Sequence, residues 1–282
     1  MWEYRNGNYM VTITDDGTKV RPSGSLVPEW PESIDVKVTN RCDAECAFCH
    51  EESSPDGESF DRHEAYRLFC GMPRGVELAI GGGNPLEVRS ELGWFFDHMP
   101  GHILNVTVSA WHLHTWPKAL RPTAIGISYV PMLHESIVEF ADVHPHSVVH
   151  LIAGVHTVAD LARCRKDFER ILVLGYKEVG RGVTYFDNVV RHSLVEWRQR
   201  IGEFLGERLL VFDNLAVQQL DVSRFFTPEH WSEMYMGDDG EFTMYLDLVK
   251  REYAESSRSA ERHSIDDLTV PQMFARIRRG LA

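Results

Sequence analysis

The stretch IDVKVTNRCDAECAFCH, residues 34–50, decides how the rest of the chain is read. Its first part, 34–39, is a short β-rich run, and its second part, 42–50, packs three of the chain's five cysteines into eight positions. Loops that follow strands are where α/β folds place their chemistry, so three thiols at that point call for a ligand. Two metal sites fit them. Zinc would take Cys42, Cys46 and Cys49 with a fourth ligand, for which His50 is a candidate, although adjacent residues seldom both reach one tetrahedral ion. An iron–sulfur cubane would take the three thiolates and leave its fourth iron open.

Composition narrows the setting. With 282 residues, 43% of them hydrophobic, the chain can form one large single-core domain, or a core domain with small additions at its ends. Its longest apolar runs, such as 171–174 and 209–212, fall far short of the roughly 18 to 20 residues of a membrane span. The opening MWEYRNGNYM has neither a positive n-region nor an apolar h-region, so a cytoplasmic location is expected. The odd cysteine count and the crowding of three thiols point to reduced ligands rather than bridges. A net charge of −13, from 29 basic and 42 acidic residues, repels a phosphate backbone and argues against duplex nucleic acid as partner.

Outward from the quoted stretch, the organisation is regular. Residues 1–32 read as a small β meander and linker: Tyr4, the Asn6-Gly7 turn pair, Tyr9, Val11 and Ile13, the turn Asp15-Asp16-Gly17, Lys19-Val20, then Pro22, Pro28 and Pro31. From residue 33, β-rich runs at 34–39, 76–80, 103–108, 124–129, 148–153, 171–174 and 209–212 alternate with helical patterns. Those at 157–168 and 188–205 are the clearest. Strand–helix alternation predicts parallel strands with crossover helices, hence an α/β fold with a partial or complete (β/α) barrel over 33–222. Residues 223–282 read as a C-terminal extension. It holds a short helix at 227–233, a turn at Asp238-Asp239-Gly240 and a strand at 242–248 that completes or caps the barrel. An amphipathic helix at 270–279 closes it, stopped by Gly280 and docked through Val270, Met273, Phe274 and Ile277.

The spacing C-x3-C-x2-C with Phe48 just before the last cysteine resembles the signature of the radical S-adenosylmethionine (radical SAM) superfamily. The resemblance implies a [4Fe-4S] cluster on Cys42, Cys46 and Cys49, whose uncoordinated iron chelates the amino and carboxylate groups of S-adenosylmethionine, with Phe48 packed near that cofactor. One electron, from a donor such as flavodoxin or ferredoxin, cleaves the sulfonium. The 5′-deoxyadenosyl radical then takes hydrogen from substrate. About thirty residues on, Gly81-Gly82-Gly83-Asn84-Pro85 ends the second barrel strand and resembles the family's GGEP motif, which contacts the cofactor amino group through bare backbone. Asn84 replaces the usual acid. Ile152-Ala153-Gly154 resembles the core of an adenine-contacting motif, with Ile152 and Gly154 as contacts, but His150 and Thr157 stand where a glycine and an acid are usual. Ser128 stands where polar residues meet the cofactor ribose or carboxylate. The resemblance spans roughly residues 33–215.

Strand ends at Gly175-Tyr176-Lys177 and Asp213-Asn214 supply substrate-side candidates. Lys177 would hold an anionic group, Asp213 would accept a hydrogen bond or proton, and Tyr176 would donate hydrogen or stack. Cys164 falls on a buried helical stripe, Cys70 has no partner at ligand spacing, and His112, His114, His144 and His146 show no metal spacing. No second cysteine group exists, so no auxiliary cluster is expected. The reading is a single-cluster radical SAM enzyme acting on a small molecule or nucleobase-type substrate, as the 7-carboxy-7-deazaguanine synthases do. The alternatives are a glycyl-radical activase, a peptide-modifying enzyme, or a non-catalytic zinc-binding module.

Overall fold

The structure is a computed structural model and describes residues 2–14, 18–206 and 209–280; the expected turn at Asp15-Asp16-Gly17 lies outside the described residues. β1 (Trp2–Asn6), β2 (Tyr9–Ile13) and β3 (Lys19–Val20) form the antiparallel meander. The seven β-rich runs become β4 (Ser33–Thr39), β5 (Glu77–Gly82), β6 (Ile103–Ser109), β7 (Ala124–Ser128), β8 (Ser147–Ile152), β9 (Arg170–Leu174) and β10 (Leu209–Phe212). Each pairs in parallel with the next. Parallel strands need crossovers, and helices supply them: α1 (Arg62–Phe69), α2 (Arg89–His98), α3 (His134–Val143), α4 (Val158–Asp167), and α5 (Arg181–Tyr185) with α6 (Asn188–Arg200).

Local chemistry explains the boundaries. Thr157 and Asp160 form a reciprocal capping box at the start of α4. The Asp187 carboxylate accepts from the Val189 and Val190 amides at the start of α6. Along each strand the side chains alternate. Ile34, Val36, Val38, Leu78, Ile80, Val106, Val108, Val149 and Leu151 join the buried apolar core. The alternate residues face inward, and there Asp35, Lys37, Thr107, Ser128 and His150 line a lumen.

The C-terminal part belongs to the same sheet. After α7 (Asn214–Leu220) and α8 (Pro228–Met234), β11 (Thr243–Asp247) pairs in parallel with β4 on the side away from β5, and β12 (Glu252–Ala254) and β13 (His263–Ser264) extend it antiparallel. The order is β10-β9-β8-β7-β6-β5-β4-β11-β12-β13. The barrel is therefore partial: among the described residues its edge strands β10 and β13 do not pair. The strand at 242–248 lengthens the sheet beside its first strand instead of closing it, so residue 222 is no border within the sheet. The Asp238-Asp239 turn leads into β11, and the Asp239 carboxylate accepts from Asn214 and pairs with Arg258 at 2.9 Å. α9 (Val270–Gly280) runs through the expected stop and buries Val270, Met273, Phe274 and Ile277. The meander covers the N-terminal end of the barrel: Lys19 pairs with Glu77 at 2.9 Å, and Glu32 takes Arg21 at 2.9 Å and the Tyr9 hydroxyl at 2.6 Å. No helix among the described residues is long and apolar enough to cross a membrane.

Candidate active site

Beyond Thr39 the chain enters the cysteine loop, which is tied by main-chain hydrogen bonds to its own return and to β5. The Cys42 amide donates to Ser54 O at 2.9 Å and the Asn40 amide to Glu58 O at 2.7 Å. From the glycine run, the Gly83 amide donates to Thr39 O at 2.7 Å and the Asn84 amide to Arg41 O at 2.6 Å. The glycines serve two purposes. A Cβ on Gly82 or Gly83 would stand 2.4 or 2.2 Å from the Thr39 or Arg41 carbonyl oxygen, so these two are required by the close approach of the cysteine loop, and Gly82 also has φ +117. A Cβ on Gly81 would meet no protein atom within 4 Å, yet Gly81 lines the cavity. Bare backbone there is space left for a ligand.

A second clamp comes from α5. The Arg181 guanidinium donates to Cys46 O at 3.0 Å and Ser53 O at 2.9 Å, and its amide donates to Cys49 O at 3.1 Å. Gly180, at φ +58, lets the turn approach His50, whose carbonyl oxygen would lie 2.6 Å from a Cβ. Burial pushes the Cys42 and Cys46 thiols up, and Arg181 pulls both back toward the thiolate. A tetrahedral zinc holding three thiolates brings the sulfurs to about 3.8 Å from one another, given bonds of about 2.3 Å. Among the described residues the three such ligand atoms within 4.8 Å of one another are those of Cys42, Asp43 and His112, not the three sulfurs. The three sulfurs are therefore not gathered at the spacing a single tetrahedral zinc would impose on them. His50 is no fourth ligand here: its Nε2 faces Glu51 and Lys177, each at 3.4 Å.

These thiols and Gly81 open on one cavity of about 570 Å³ at the C-terminal ends of the strands. No family model and no curated protein matches the chain. In structure it is similar to SuiB of Streptococcus suis. Bound to the precursor peptide SuiA, SuiB shares 12% identity with the chain, at TM-score 0.59 over 88% of this chain and 65% of that one. Bound to S-adenosylmethionine, it gives 12% and 0.58 over 88% and 66%. It is also similar to anSMEcpe with bound AdoMet, at 11% identity and TM-score 0.51 over 86% of this chain and 80% of that one. Both bind S-adenosylmethionine. The chain has the radical SAM fold. It spans about two thirds of the length of SuiB.

Within the radical SAM fold, Phe48, Gly82, Gly83, Ser128, Ile152, Tyr176 and Lys177 line the cavity together with the three cysteines and Gly81. Phe48 makes an edge contact with Tyr185 at 5.7 Å. Four expected site residues lie outside the lining. Asn84 is turned away to cap the short turn at Pro85–Val88, accepting from the Leu86 amide at 3.2 Å, and Pro85 is buried in that turn. Gly154, at φ +93, packs on α6, where a Cβ would stand 3.0 Å from Val190. Asp213 caps α7: its Oδ1 accepts from the Ala216 amide at 2.7 Å and the Gly175 amide at 2.9 Å, which fixes the end of β9. The Tyr176 ring reaches the cavity wall, but its hydroxyl donates to Gly182 O at 2.7 Å and so holds the Arg181 turn. Cys164 is fully buried and Cys70 exposed.

Sequence reasoning missed the inner wall. Lys37, 3% exposed, pairs with Glu51 at 2.7 Å and Asp247 at 3.3 Å, and the Tyr245 hydroxyl donates to Glu51 at 3.1 Å, joining β11 to the cysteine loop. Burial opposes both charges, but His50 and Lys37 outweigh it and hold the Glu51 carboxyl low, while Glu51 and Asp247 hold Lys37 high. Asp35, His150 and Ser257 also line the cavity. The available signal was a set of charged residues at alternate places in 34–39, since parallel strands buried on both faces run nearly all apolar.

Proposed function

We propose that this chain is a radical SAM enzyme carrying one [4Fe-4S] cluster on Cys42, Cys46 and Cys49, with S-adenosylmethionine against the bare backbone at Gly81. The observation that carries this reading is the meeting of the three spaced thiols and the side-chain-free Gly81 on one cavity. When bound, the pair supplies reductive cleavage of the sulfonium to a 5′-deoxyadenosyl radical that removes hydrogen from substrate. The chain's own part is positional. Arg181 and the Gly83 and Asn84 amides fix the cysteine loop, Phe48 and Tyr185 shelter it, and Ser128 and Ile152 form the opposite wall. The substrate we infer is a small molecule or nucleobase-type compound held in the lumen, with an external electron donor such as flavodoxin or ferredoxin. A peptide substrate is the second reading, favoured by the peptide complexes of SuiB and of anSMEcpe, the latter with the Cp18Cys peptide.

The test is anaerobic reconstitution. The expected result is about four irons per chain and reductant-dependent release of 5′-deoxyadenosine, lost in Cys42→Ala, Cys46→Ala and Cys49→Ala. One zinc per chain without cleavage would overturn the proposal and favour a zinc site at Cys42, Asp43 and His112.

A further inference from the structure

We propose that the lumen beneath the glycine shelf binds a small zwitterion, its cationic nitrogen at Asp35 and its anionic end at Lys177 and Ser257. The inference deepens the radical SAM reading of this cavity and rests on it for the role of that ligand as substrate.

Asp35 sits mid-strand in β4, with Ala79 beside it on β5 and Tyr245 on β11. Neither neighbour serves it: Ala79 has no polar side chain, and the Tyr245 hydroxyl is given to Glu51. Asp35 is exposed, its accessible face being the cavity itself, and no side chain or amide among the described residues hydrogen-bonds or ion-pairs with its carboxyl. The neighbouring carboxylates are matched: Glu77 by Lys19, Glu51 and Asp247 by Lys37. Burial raises the Asp35 carboxyl to about 6; Lys177 lowers it in part, and Glu77, Asp213 and Asp239 raise it further. Carboxyls shifted in this way within clefts mark functional sites.

Across the lumen His150 projects from β8. Gly126 makes room for its ring, which a Cβ at that position would approach to 2.5 Å, and the ring has no hydrogen-bond partner among the described residues. Burial holds it neutral, at about 4, so it offers one donor and one acceptor. Lys177, at the end of β9, meets Ser257 at 2.8 Å and His50 at 3.4 Å but no carboxylate. One cavity therefore holds a carboxyl and an ammonium that attract each other yet are not in contact. A ligand bearing the opposite pair of charges satisfies both, whereas a cation or an anion alone leaves one of them unmatched. At about 570 Å³ for cofactor and substrate together, the space suits a small molecule.

The probes are the ω-amino acids from glycine to 6-aminohexanoate, with butylamine and butyrate as single-charge controls. Each is titrated calorimetrically into the full chain, before and after cluster reconstitution. One chain length is expected to bind at least about tenfold more tightly than either control. Asp35→Asn should lose about tenfold toward that zwitterion and toward butylamine with butyrate unchanged, and Lys177→Met should erase the preference for zwitterion over amine. Unfolding midpoints no lower than wild type, and an Asp35→Ser variant behaving alike, show that binding rather than folding is read. Equal affinity for zwitterion and controls, or wild-type affinity in Asp35→Asn, overturns the proposal. Calorimetric binding needs no radical chemistry, so absence of iron or of 5′-deoxyadenosine beside intact probe binding would sink the enzyme reading and leave this site standing.

Discussion

Glu77 and Asp35 occupy neighbouring strands, one inward layer apart, in opposite electrostatic circumstances, and of the two only Asp35 lines the cavity. For Glu77, burial raises the carboxyl, but Lys19 at 2.9 Å and the Asn105 amide at 2.5 Å outweigh it and hold the group below its usual range. For Asp35, burial acts without a matching partner and lifts the carboxyl to about 6. The N-terminal end of the barrel, sealed by the meander, satisfies its charges. The end carrying the cysteines leaves some unmatched. In a barrel whose chemistry belongs at the C-terminal ends of its strands, the contrast separates scaffold from site.

Breaking a matched group should cost most. Lys37→Met strands Glu51 and Asp247, both nearly buried, and is expected to remove about 4 kcal/mol of stability in denaturant titrations. Lys19→Met strands Glu77 in a more open setting and should cost about 2 kcal/mol by the same measurement. If either change is neutral, the matched half of the contrast fails.

The glycines sharpen the contrast further. Gly83→Ala forces a Cβ to within 2.2 Å of the Arg41 carbonyl and should destabilise the fold by about 2 kcal/mol. Gly81→Ala meets no protein atom and should leave stability within about 0.5 kcal/mol, while S-adenosylmethionine binding, measured by equilibrium dialysis, weakens about tenfold.

The smallest effect has the opposite sign. Because the folded Asp35 carboxyl titrates at about 6, above the ordinary value of 3.8, its ionisation costs the folded state progressively as pH rises from about 4 through 6. Asp35→Asn removes that cost. It should stabilise the protein by about 1 kcal/mol above pH 6, a figure reduced by water in the cavity, and have no effect below pH 4. A loss of stability at neutral pH would show that Asp35 is matched after all.

How much of this was legible in the sequence depended on the range of the interaction. The seven parallel strands announced themselves because Val36, Val38, Val106 and Val149 sit in short apolar runs between helical stripes, a local pattern. The cysteine trio was equally local. Which flank of β4 receives β11 was not written in any run, since strand 242–248 is compatible with either end of the sheet. Arg181 reaches the Cys46 carbonyl across 135 residues, and only the flanking Gly180 and Gly182 hint that a backbone passes close by. The roles expected of Asp213 and Asn84 went astray for a related reason. A polar residue at a strand end reads the same whether it faces a ligand or caps the next helix, as both do here.

The most direct measurement is the electron paramagnetic resonance spectrum of the reduced, reconstituted protein with and without S-adenosylmethionine. The account predicts a [4Fe-4S] signal whose shape changes when S-adenosylmethionine is added and which is lost when Cys46 becomes alanine. A signal indifferent to S-adenosylmethionine, or none at all from protein holding one zinc per chain, would contradict it.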